Sequence, residues 1–130
     1  MLMARQALGP GRTADCERLL DRLDGLLPDH PEPSQLHGDL WRGNWMHTAT
    51  GPALFDPSAY RGHREVDLAM LALFGGFPAR AAEAYQASWA LEPGVEERRP
   101  IYQLYPLLVH VNLFGGGYVA QVESVVRRYV

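Results

Sequence analysis

With 130 residues the chain fits one domain and can bury roughly two thirds of its unfolded surface. An apolar fraction of 47% and a charged fraction of 21% are those of an ordinary globular protein, and a net charge of -3 excludes a broad basic face for nucleic-acid backbones. A single cysteine, Cys16, excludes an intramolecular disulfide and a cysteine metal cluster.

The opening Met1-Leu2-Met3-Ala4 is interrupted by Arg5 and Gln6 and is too weakly apolar for a signal peptide. Leu104 to Phe114 is the most apolar run, but it is short of a membrane span and carries Pro106, His110 and Asn112. A cytoplasmic protein without a nucleic-acid or membrane partner is the simplest expectation. Leu2 to Leu8 reads as the end of a helix stopped by Gly9-Pro10-Gly11. Thr13 suits the cap of the next helix, with Asp15 and Glu17 favoured in its first turn. Cys16, Leu19, Leu20, Leu23, Leu26 and Leu27 then form one apolar stripe, which makes Cys16 a core residue. Pro28, Pro31 and Pro33 end that helix and lead into an extended segment.

From Gln35 the period changes. Leu36 reads as a buried strand entry and Gly38 to Gly43 as a loop. Trp45-Met46-His47 and Ala53-Leu54-Phe55 read as two short strands around Thr48-Ala49-Thr50-Gly51. A turn centred near Thr50 sets Asn44 opposite Asp56, with Cβ atoms roughly 5 Å apart. Two oxygen donors so placed can converge on one magnesium, whose ligands lie at about 2.0–2.1 Å. After a Pro57-to-Arg64 loop the chain reads as helical: Glu65 to Phe74, then Pro78 to about Leu91 beyond Gly75-Gly76. A long apolar helix follows from Ile101 to Phe114, bent by Pro106, and after Gly115-Gly116-Gly117 a last one from Tyr118 to Tyr129. The pattern is mainly α with a small β-hairpin.

His37-Gly38-Asp39, Asn44 five residues beyond Asp39, and Asp56 past the hairpin form the set with which kinases hold a hydroxyl and magnesium around a transferring phosphoryl group. Each member has a plainer reading. Asp39 in a Gly-Asp-Leu turn and Asp56 before Pro57 both suit side-chain-stabilised turns, and His37 suits a hydrogen-bonded structural histidine. His47 and His63 lack the spacing to make a transition-metal site with Asp39. A glycosidase would need its two carboxylates across a sugar cleft, whereas an asparagine at the third corner fits metal binding better. No Gly-x-Ser-x-Gly elbow supports a serine hydrolase.

All twelve basic residues are arginine, so the chain cannot supply the strand lysine that kinases place on nucleotide phosphates. It also has no Gly-x-Gly-x-x-Gly loop.

The run His37-Gly38-Asp39-Leu40-Trp41-x-Gly43-Asn44, followed by Asp56-Pro57 and Tyr60-x-Gly62-His63-Arg64-Glu65-x-Asp67-Leu68-Ala69-Met70, resembles the fructosamine kinase (ketosamine-3-kinase) family, relatives of the aminoglycoside phosphotransferases. Tyr102-Gln103-Leu104-Tyr105 through His110 to Asn112-Leu113-Phe114-Gly115 is similar to that family's C-terminal helices, and the resemblance runs from about Glu17 onward. It implies the C-terminal lobe of a protein-kinase-like fold, a single partial domain over residues 1–130 with the N-terminal ATP-binding lobe absent. It implies ATP and magnesium as cofactors and a small sugar-amine as substrate. Asp39 is then the catalytic base, Asn44 and Asp56 hold the metal, and His37 and Asp67 brace the loop. Trp41, His110 and Asn112 are candidates for the sugar pocket, although His110 and Asn112 equally suit ordinary inter-helix hydrogen bonding. Arg42 departs from the family, which usually has a small residue there. Two outcomes follow: the catalytic half of a ketosamine kinase, or a truncated, catalytically silent helical module whose exposed lobe interface favours self-association.

Overall fold

The computed structural model describes residues 2–130, with side chains from Gln6 onward. The described residues form two compact units, one of Pro31–Tyr102 and the other of the residues up to His30 together with Gln103–Val130.

The unit containing the chain ends is helical. Helix α1 (Leu2–Leu20) is two helical runs divided at Gly9, whose φ of 76° is open to glycine at little cost. Pro10 begins the second run, where a missing N–H loses nothing. Thr13 is therefore no cap; it lies within the helix, and its hydroxyl donates to the Gly9 carbonyl at 2.8 Å. The apolar stripe also ends sooner than its spacing predicts. The chain turns at Asp21-Arg22, a short α2 (Leu23–Leu26) follows, and Leu20 is left exposed. Leu8 and Leu19 pack in the core of this unit with Leu107, Val111, Val122 and Val126. Cys16 is half-buried on a cleft of about 570 Å³ also lined by Leu8, Val122 and Val126, and burial raises its thiol pKa.

The central unit carries two antiparallel strand pairs. Strands β2 (Trp45–Thr48) and β3 (Gly51–Leu54) form the expected hairpin, with Trp45 opposite Leu54 and Thr48 opposite Gly51. The reversal is a tight two-residue one through Ala49 and Thr50. The Thr48 hydroxyl donates to the Gly51 carbonyl at 2.7 Å, and Gly51 takes a φ of 124°. This shifts the predicted register: Asn44 faces Phe55 rather than Asp56, and the Phe55 N–H donates to the Asn44 carbonyl at 3.1 Å. The other pair is β1 (Pro33–Leu36) with β4 (Tyr60–His63), so a strand lies within the stretch expected to be loop.

Helix α3 (Glu65–Leu73) follows β4 directly and stops at Gly75 and Gly76, both at positive φ. Helix α4 (Ala79–Ser88) starts after Pro78, and α5 (Val95–Phe114) begins earlier than predicted and takes in Pro100 as well as Pro106. A 3-10 turn (Gly116–Tyr118) leads into α6 (Val119–Val126). None of the described helices is long and apolar enough to cross a membrane. Leu36, Leu40, Ala69, Leu71 and Ile101 are the buried hydrophobic residues of the central unit. Leu71 is 1% exposed on the helix that carries Asp67, and Leu71→Ala should lower stability by about 2–5 kcal/mol in urea unfolding.

Candidate active site

The loop between β1 and β2 is held from below by one carboxylate. Asp67, in the first turn of α3 and buried, accepts the His37 N–H at Oδ2 (2.6 Å) and the Gly38 N–H at Oδ1 (2.9 Å). Gly38 takes a φ of 81°, and a Cβ there would stand 2.0 Å from the Ser58 carbonyl oxygen. The Ser58 N–H meanwhile donates to the His37 carbonyl at 2.8 Å. Two strands of backbone thus pass too closely at Gly38 for any side chain.

The His37 ring carries the next link. The Asp39 N–H can only donate, so His37 Nδ1, 3.3 Å away, is the acceptor, and Nε2 then bears the proton and donates to the Phe55 carbonyl at 3.0 Å. Phe55 donates in turn to the Asn44 carbonyl, and Asn44 Nδ2 donates to both the carbonyl and Oδ2 of Asp39, each at 2.9 Å. His37, Phe55, Asn44 and Asp39 therefore close a hydrogen-bonded ring. Both hydrogens of the Asn44 amide are spent inside it, which leaves the amide oxygen for another ligand.

Asp56 follows Phe55 directly. It is exposed, and with a φ of 56° it is the one non-glycine residue at positive φ among the described residues. Aspartate tolerates this conformation better than most residues, but it still costs of order 1–3 kcal/mol, so the surrounding backbone imposes it. The structure thus brings His37, Asp39, Asn44 and Asp67 into one network and sets Asp56 beside it through Phe55. Trp41 is half-exposed, and its indole lies over Gly43, where a Cβ would come within 2.3 Å of the ring. Arg42 stacks its guanidinium 4.3 Å from the centre of the Trp45 ring.

The donor set is of the kind that magnesium takes: an amide oxygen and carboxylates, all hard. No group of three or more His, Cys, Asp or Glu side chains suited to a metal occurs among the described residues. His110 and Asn112 belong to the other unit. There His110 Nδ1 lies 2.7 Å from the Pro106 carbonyl and its ring packs against Phe114 and Tyr118, while Asn112 Oδ1 is buried without a hydrogen-bond partner among the described residues.

A family model described as fructosamine kinase matches residues 1–130. The chain belongs to the fructosamine kinase family. A probable ketoamine kinase of Vibrio parahaemolyticus is 47% identical over 117 residues, which cover 89% of this chain and 41% of that protein. One of Lactiplantibacillus plantarum is 50% identical over 99 residues, 75% of this chain and 35% of that one. A crystal structure from Thermobifida fusca, assigned as a fructosamine-3-kinase, superposes with a TM-score of 0.87 at 46% identity over 96% of this chain and 44% of its own. The chain thus spans about two fifths of the length of these relatives, and its fold is kinase-like.

Other residues of the family motif anchor α3, and sequence reasoning gave them no role. The buried Arg64 donates from Nη1 to the Trp89 carbonyl at 2.6 Å and from Nη2 to the Ala90 carbonyl, with its guanidinium 4.1 Å from the Trp89 ring centre. Glu65 is buried in a forked pair with Arg98, at 2.6 and 2.9 Å. His63 Nδ1 lies 2.7 Å from the Tyr102 hydroxyl, and Nε2 is 3.8 Å from Glu65 Oε1. These partners lie some 25 to 39 positions away, beyond any helical or strand spacing. Burial pushes the Tyr102 phenol up to about 12, helped by the negative charge of Glu65.

Burial also lowers the His63 pKa, against the pull of Glu65. The folded protein therefore prefers neutral His63. Stability is full above the ordinary histidine value near 6.5 and falls as acid protonates the unfolded chain first, levelling off below the lowered folded value. The urea midpoint should drop between pH 7.5 and 5.5, and His63→Gln should flatten that slope; an equally steep slope in the variant assigns the effect elsewhere. Gly38→Ala should cost more than about 2 kcal/mol in the same assay, because the clash is with backbone and φ is unfavourable as well.

Proposed function

We propose that the chain is the base- and metal-bearing portion of a cytoplasmic, ATP- and magnesium-dependent kinase that phosphorylates a sugar hydroxyl of a ketosamine. The observation that carries this reading is the Asn44 amide, whose two hydrogens hold Asp39 and whose oxygen is thereby left for a cation.

Asp39 Oδ2 is fixed by Asn44, so Oδ1 is the atom that receives the hydrogen of the sugar hydroxyl. Holding that hydroxyl in line with the phosphoryl group supplies the positioning on which phosphoryl transfer mainly depends. As the oxygen bonds to phosphorus and the bond to the nucleotide breaks, the hydroxyl proton passes to Asp39 and then to water. Asn44 and Asp56 are the residues that hold magnesium, which when bound neutralises charge on the phosphates. His37 acts on the loop through its two hydrogen bonds, and the half-exposed face of Trp41 offers a surface to the sugar. His110 and Asn112 are further candidates for the sugar pocket. The names of the relatives support a ketoamine substrate.

The second reading, a catalytically silent module open to self-association, is favoured by one observation: no lysine occurs in the chain to meet nucleotide phosphates. The two readings part on simple assays. In a full-length counterpart, the change equivalent to Asp39→Ala should reduce kcat for ATP-dependent ketosamine phosphorylation by about 10²–10⁴, with the fold retained by circular dichroism. Undiminished turnover in that variant would overturn the kinase roles assigned here. The 130-residue chain alone is expected to show no ATP turnover; turnover at an ordinary kinase rate, 1–100 s⁻¹ or about that order, removes the silent-module reading.

A further inference from the structure

Helix α3 begins poorly. Arg64 stands at its N-cap position with helical dihedral angles and no side-chain cap, and the first backbone bond, Leu68 N–H to the Arg64 carbonyl, is long at 3.5 Å. A helix start in this condition leaves several N–H groups without partners and frays readily. Yet Asp67, in that first turn, is the residue that holds the backbone of His37 and Gly38. Something else must keep the turn in place.

We infer that Glu65 and Arg98 are positioning residues for the site: their forked ion pair fixes the uncapped start of α3, so that the Asp67 carboxylate stays aimed at the two loop amides beside Asp39. Both oxygens of Glu65 are engaged by the guanidinium of Arg98, and Glu65 is 2% exposed. Arg98 is itself pinned, since Nη1 also donates to the Pro93 carbonyl at 2.8 Å. Gly94 makes room for it, because a Cβ there would stand 2.7 Å from the same nitrogen. The N-terminal part of α5 and the start of α3 are thereby clamped by a rigid planar contact. Glu65 and Asp67 are two residues apart and point to different sides of the helix, so each is an anchor the other lacks. If either lets go, the turn has no cap to fall back on.

A buried ion pair of this kind contributes little net stability compared with apolar residues of the same size, while fixing geometry is its best-attested use. The significance for phosphotransfer rests on the function proposed above, but the coupling between Glu65–Arg98 and the loop does not. It is therefore tested without any measurement of turnover.

Hydrogen exchange of the backbone amides, read by NMR on the 130-residue chain, is the experiment. In Glu65→Gln, which keeps the volume, and in the double variant Glu65→Met/Arg98→Met, which leaves no orphaned charge, the His37 and Gly38 amides should exchange about tenfold faster. The amides paired across β2 and β3 should not change. Adding Asp67→Asn to Glu65→Gln should then accelerate His37 and Gly38 little further than Asp67→Asn alone, because the two act in series. Unchanged exchange at His37 and Gly38 overturns the inference. So does equal acceleration throughout the unit, which is what a merely stabilising ion pair produces. Should the double variant unfold, Glu65→Gln decides by the same criterion.

Discussion

The geometry of the site depends on a single buried carboxylate. Asp67 accepts two consecutive backbone N–H groups from a loop thirty positions earlier in the chain. A hydrogen bond to a charged acceptor contributes about 1.5–3 kcal/mol, and losing the acceptor strands two half-buried donors as well. Gly38 also sits where a tight backbone crossing leaves no space for a Cβ. The loop is thus fixed from one side by charge and from the other by steric exclusion at Ser58.

From that fixed point the chemistry is assembled in a closed ring. His37 reaches across to the Phe55 carbonyl, Phe55 to Asn44, Asn44 to Asp39, and Asp39 back to the His37 ring. The ring needs His37 in one tautomer and Asn44 in one amide orientation, so each member sets the polarity of the next. Asp56 lies immediately outside it in a left-handed conformation, one residue beyond the Phe55 that faces Asn44. Had the strands paired with Asn44 opposite Asp56, the Phe55 backbone would not stand where both His37 and Asn44 use it.

Much of this was legible from local pattern and some of it was not, for a physical reason. The hairpin, the helix stop at Gly75-Gly76 and the last helix are written in spacings of two to four residues, which is the reach of turns and helical faces. The β1–β4 pair joins four-residue strands whose facing residues lie 24 to 30 positions apart in the chain. No periodicity encodes such a pairing. Thr13 had the composition of a cap, but Pro10 starts the helix earlier because its ring already holds a helical φ. Glu65 could be placed in the motif but not matched with Arg98, because only the folded chain brings them together.

The two units differ in what they bury. The one containing the chain ends has a buried core of Leu8, Leu19, Leu107, Val111, Val122 and Val126, all hydrophobic. The central unit buries Asn44, Arg64, Glu65 and Asp67 beside a comparable number of apolar residues. Apolar contacts are non-directional and tolerate repacking, so they secure a fold without fixing a carboxylate to a fraction of an ångström. Buried charges do the opposite: they add little stability, and they tolerate few arrangements because an unmatched one is costly. The segment from His63 to Asp67 concentrates such groups, tying Tyr102, the residues that follow α4, Arg98 and the site loop to four of five successive residues. A unit built this way gives Asp39 a defined position, which is what the in-line transfer proposed above requires.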